Sequence, residues 1–69
     1  MIKVYAFDYR PTQEDDICTA NQEMSITQRW YNDLARMDAL FAKLRKEGMI
    51  EAWIFIGGQY DAAYDLAAS

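Results

Sequence analysis

An α+β fold is what the sequence predicts: a small β-α-β-α domain, its long central helix (residues 25–48) packed on a two-stranded sheet that a homodimer completes to four strands. Three observations predict it. The stretch from Ser25 to Gly48, about a third of the chain, carries an apolar seam at helical spacing between two helix-ending signals. Ile2 to Tyr9 alternates in β-branched and aromatic residues, and Met49 to Gly57 is a dense run of Ile, Trp and Phe. Both runs fit strands better than helices.

Taken in order, Ile2, Val4 and Ala6 fall on one side of the first strand and Lys3, Tyr5, Phe7 and Tyr9 on the other. Pro11 ends it. Residues 12–24 read either as a short helix, capped by Thr12 and opened by Glu14, Asp15 and Asp16, or as an acidic loop. Ser25-Ile26-Thr27-Gln28 then matches the S-x-x-Q capping box, which satisfies the first orphaned N–H groups of a helix. Trp30, Leu34, Met37, Phe41 and Leu44 follow at spacings of four and three, widened by Ile26 and Leu40. Lys43, Arg45 and Lys46 complement the dipole at the far end, and Gly48 supplies the left-handed stop.

After the apolar run, Gly57-Gly58 breaks the chain. Tyr60, Ala63, Tyr64 and Ala67 then share one face of an expected short C-terminal helix spanning residues 60–67. A direct crossover makes the two strands parallel, whereas a connection running back across the molecule makes them antiparallel. Two strands alone form a marginal sheet, which is why pairing across a two-fold axis enters the expectation.

A chain of 69 residues holds a single domain, here 1–69, and so small a core is usually supplemented by oligomerisation. The lone Cys18 permits no intrachain disulfide and fits a reducing compartment. No apolar run precedes Asp8, so no secretory leader is expected, and no stretch suits a membrane span. The expected location is cytoplasmic. Net charge is −4, distributed as two acidic arms around a mildly basic helix. Direct binding to nucleic acid or to an anionic membrane is therefore not expected, because both need a cationic face.

The sequence holds no histidine, which removes the commonest general base and the commonest transition-metal ligand. Cys18 lies near Asp15 and Asp16, whose charges oppose thiolate formation. Glu14-Asp15-Asp16 lacks the alternate spacing, glycine and distal glutamate of a calcium loop. Gly57-Gly58 has no following lysine and no further phosphate-loop glycines. No catalytic residue, cofactor or metal ligand is assigned, and the expectation is a non-enzyme.

Interaction features are stronger. Trp30, Tyr31, Leu34 and Trp53 are the expected dimer contacts, as large apolar groups more numerous than one small core hides. Asp8, Glu14, Asp15, Asp16, Glu23, Tyr60, Asp61, Tyr64 and Asp65 are the expected partner-binding residues, with aromatic anchors interleaved among carboxylates. The resulting expectation is a small acidic inhibitor that occupies a protein partner's basic, nucleic-acid-binding cleft. Its size and charge are analogous to those of phage and mobile-element anti-defence proteins, anti-CRISPR inhibitors among them. A dimeric regulatory or assembly module, antitoxin-like or subunit-bridging, is the alternative. A small carboxylate-based metal enzyme is the third reading.

Overall fold

Strand β1 (Ile2–Phe7) has an apolar row on each face, and the chain covers both. The computed structural model describes residues 1–68. After β1 come a 3-10 helix (Glu14–Thr19), strand β2 (Gln22–Ile26), helix α1 (Gln28–Tyr31), helix α2 (Leu34–Lys46), β3 (Glu51–Ile56) and β4 (Gln59–Asp65). All pairings are antiparallel, in a four-stranded sheet of order β2-β1-β3-β4.

This corrects the expected two-stranded sheet under a long helix. One chain supplies all four strands, so no second copy is needed to complete the sheet. Residues 22–26 are a strand because their period is two. Met24 and Ile26 turn toward the helices, while Glu23 crosses the opposite face to Lys3 at 2.9 Å. Ser25 thus lies within β2, opposite Lys3, and caps nothing. The caps are Thr27, whose Oγ1 accepts the Trp30 amide at 3.1 Å, and Asp33, whose carboxylate accepts the Arg36 amide at 3.2 Å. Asn32 and Asp33 belong to residue types that compete with helical backbone bonds, and they split the expected helix into α1 and α2.

Helix α2 ends in a Schellman arrangement. Met49 N–H donates to the Leu44 carbonyl at 2.9 Å, Gly48 N–H donates to Arg45 at 3.0 Å, and Gly48 takes φ +90°. Gly57 and Gly58, with φ of +60° and +80°, close a two-residue hairpin of the primed type. That hairpin makes residues 59–65 a strand, where a helix was expected. A bulge leaves Asp61 without a register partner between Phe55↔Tyr60 and Ile54↔Ala62. Tyr60 and Tyr64 are four apart and would share a strand face, but the extra residue sends them to opposite faces. Tyr60 packs on Trp53 and Phe55, and Tyr64 on Phe41.

The larger core lies between the sheet and the helices, where Ile2, Val4, Ala6, Ala52 and Ile54 meet Met37, Leu44, Met49 and Leu66. On the other face, Phe7, Trp53 and Phe55 form a second cluster, covered by Ile17 and Ala20. There the rings run in edge contacts from Tyr9 through Phe7, Trp53, Tyr60 and Phe55 to Tyr5, with centroids 5.3–6.0 Å apart. Trp53 and Phe55 are only 7% and 5% exposed. Phe7, Trp53 and Phe55 thus enter a second core within the same chain, while Tyr9 and Tyr60 stay exposed at its margin. No helix among the described residues is long and apolar enough to cross a membrane.

Candidate functional site

The break at Asn32–Asp33 has one conspicuous consequence. Leu34 no longer continues the seam begun at Trp30, and it stands 79% exposed at the start of α2. Beside it runs a groove of about 500 Å³, lined by Tyr31, Asn32, Leu34, Met37, Asp38, Phe41 and Tyr64. The groove lies between α2 and β4, one of the two edge strands of the sheet.

Tyr31 and Tyr64 form one wall, their hydroxyls 3.1 Å apart. The Phe41 ring meets Tyr64 at 5.1 Å between centroids. Burial, helped by the hydrogen bond to Tyr64, pushes the Tyr31 phenol up to about 12, and the nearby Asp61 carboxylate acts in the same direction. Asp38 lines the groove and Asp61 stands close by, so its apolar floor is bordered by negative charge.

A second concavity surrounds Trp30 on a basic stripe. Arg36, Leu40 and Lys43 line one part of it, and Arg29, Asp33 and Thr27 line the adjoining part. The Arg36 guanidinium lies 5.9 Å from the Trp30 ring centre and 3.4 Å from Asp33, so Asp33 partly neutralises the stripe.

The expected dimer contacts do not all come together: Tyr31 and Leu34 meet at the groove, and Trp53 does not join them. Trp30, Tyr31 and Leu34 lie on the helical layer, whereas Trp53 is buried on the opposite sheet face. There its Nε1–H donates to Glu51 at 2.6 Å.

The expected partner-binding residues are also dispersed, and several already hold their own chain together. Asp65 and Glu51 accept from Arg10 at 2.9 and 3.2 Å, which ties the loop after β1 to the end of β4. The Arg10 hydrogen bond holds the Asp65 carboxyl below its ordinary value. Glu23 pairs with Lys3, whose ammonium is raised in turn. Asp16 accepts the Thr12 and Gln13 amides at 3.0 and 3.3 Å and so fastens the start of the 3-10 helix. Asp8, Glu14, Asp15 and Asp61 are exposed. Tyr60 lies on the aromatic face and Tyr64 in the groove.

The expected residues that meet in the groove are Tyr31, Leu34 and Tyr64, with Asp61 beside them. Phe41, Met37 and Asp38 join them without having been assigned to a site. A periodic seam marks Met37 and Phe41 as core, so only the unforeseen strand at 59–65 reveals that this edge of the helix borders an open groove. Among the described residues, no three Cys, Asp or Glu side chains are grouped so as to hold a metal ion. No family model, curated protein or solved structure matches the chain.

Proposed function

We propose that this chain is a non-catalytic binding protein that inhibits a larger partner machine by occupying its surface. One observation carries the reading. Leu34 is largely exposed beside Tyr64 and Phe41, although the cores on both sheet faces close without it. Large apolar groups grouped at a groove, with tyrosines on its wall, are the chemistry of interface anchors. The complete absence of histidine from the sequence supports a role without acid–base chemistry.

The acidic balance and small size favour a partner with a basic surface, as in anti-defence inhibitors that block a nucleic-acid-binding cleft. The exposed pair Glu14 and Asp15 supports a contribution from phosphate-like carboxylates, because neither is engaged in the ion pairs that hold Glu23 and Asp65. A partner of that kind, together with the exposed thiol of Cys18, fits a cytoplasmic setting.

The test is retention of a partner from the native host's lysate by the wild-type chain, by Leu34→Ala/Tyr64→Ala and by Glu14→Ala/Asp15→Ala. Loss with the first variant places the contact at the groove, and loss with the second alone places it at the acidic turn. Equal retention by all three chains contradicts the proposal.

A further inference from the structure

The groove's outer rim is a sheet edge. Strand β4 pairs with β3 on one side, and among the described residues its other side is not joined to any strand. Edge strands are normally guarded by charged side chains, proline, a bulge or a covering element, because their unpaired backbone groups attract another strand. Residues 59–65 contain neither lysine nor proline, and at Ala62 and Ala63 they present side chains too short to hold off an approaching backbone. The strand's guards are the bulge at Asp61 and the carboxylates of Asp61 and Asp65, which deter an acidic strand and not a basic one.

The edge and the groove share Tyr64, which belongs to β4 and lines the cavity. A strand laid along β4 therefore directs every second side chain toward the groove. The Asp38 carboxylate lines that space, Asp61 is near enough to act on the Tyr31 phenol in its wall, and the β4 segment carries no base to offset them. Charge complementarity selects a cationic occupant. It disfavours a second copy of β4, which would bring its own Asp61 and Asp65 to the same edge.

We propose that the outer edge of β4 accepts an extended segment of the partner protein as a fifth strand. The side chains of that segment that face the groove are apolar at Leu34, Phe41 and Tyr64, and a Lys or Arg of the same parity meets Asp38, with Asp61 nearby. This deepens the binding reading above and rests on it. Main-chain hydrogen bonds supply affinity in such additions, and the alternate pockets supply selectivity.

The probe is a displayed library of short linear peptides, selected on the full chain. The strongest binder is then synthesised unmodified and in two N-methylated forms, with methyl groups on alternate residues of opposite parity. Selected peptides are expected to carry their apolar residues and at least one base at alternate positions of a single parity, and to shift the amide resonances of β4 and α2. Methylation in one parity abolishes binding and in the other leaves it intact, because only one edge of the peptide faces β4. Asp38→Asn/Asp61→Asn weakens binding about fivefold and flattens its salt dependence.

Failure to enrich any peptide, or resonance shifts confined to the 3-10 helix or the aromatic face, overturns the proposal. So does equal binding by both methylated forms. If Leu34→Ala/Tyr64→Ala still loses the lysate partner in that case, the groove reading survives and only strand addition is lost. Light scattering that shows a self-dimer broken by substitutions in β4 assigns the edge to a second copy instead, and also overturns it.

Discussion

The phenolic oxygens of Tyr31 and Tyr64 meet at 3.1 Å and join the short helix α1 to the edge strand β4. They lie 33 residues apart in sequence and together form one wall of the groove. The contact depends on the bulge at Asp61, which turns Tyr64 to the helical face.

Tyr31 should titrate near 12, well above its ordinary 10.0, because burial and then the Tyr64 hydroxyl favour the neutral phenol. A raised folded value means that this group's contribution to stability is intact below pH 10 and is lost as pH rises through about 12. Tyr64→Phe should lower the Tyr31 value part of the way, since burial remains, and so reduce the stability difference across that window. Tyrosinate absorbance and denaturant titration at matched pH measure both effects. An unchanged Tyr31 titration in the variant counts against the hydroxyl pair.

Arg10 holds Asp65 below its ordinary 3.8, chiefly through their hydrogen bond. A depressed folded value contributes stability that is present above about pH 3.8 and lost as pH falls through the lower folded value. Arg10→Ala should return Asp65 toward 3.8, read by carboxyl-carbon NMR titration. Persistence of the low value without Arg10 would assign it to the Ala67 and Ala68 amides, which also donate to this carboxylate.

The helix caps separate two readings of the same segment. Thr27→Ala and Asp33→Ala should each cost about 1 kcal/mol, the usual loss for an N-cap acceptor. Ser25→Ala should stay within about 0.5 kcal/mol, because Ser25 is an exposed strand residue. Urea unfolding of the three variants decides. The opposite ranking would restore the capping box at Ser25.

The acidic turn divides into structural and exposed carboxylates. Asp16→Ala should destabilise by about 1 kcal/mol and speed hydrogen exchange at the Thr12 and Gln13 amides, which lose their acceptor. Glu14→Ala/Asp15→Ala should leave both within about 0.5 kcal/mol of wild type. Equal exchange in all variants would remove the structural role of Asp16.

Local signals in the chain survive into the structure wherever the decisive forces are local. The alternation of Ile2 to Phe7 makes a strand in any context that buries its Ile and Val face. Gly48 stops α2 because a left-handed backbone at that point suits glycine best. Gly57-Gly58 breaks the chain for the same reason. Other segments carried two compatible periods. Ser25-Ile26 fits both a capping box and the end of an alternating strand, and the vacant edge of β1 decided for the strand. Tyr60, Ala63 and Tyr64 fit a helix face as well as a bulged strand, and the tight hairpin beside β3 decided for the strand.

Charge and aromatic content were therefore readable in the linear order of residues, whereas the grouping of Tyr31, Leu34, Phe41 and Tyr64 was not. That grouping needed β4 to pair with β3, a bulge to reverse its facing, and a helix break to leave Leu34 outside the core. Each of these is a competition between local preference and burial against a distant strand, and only the assembled sheet supplies the second term.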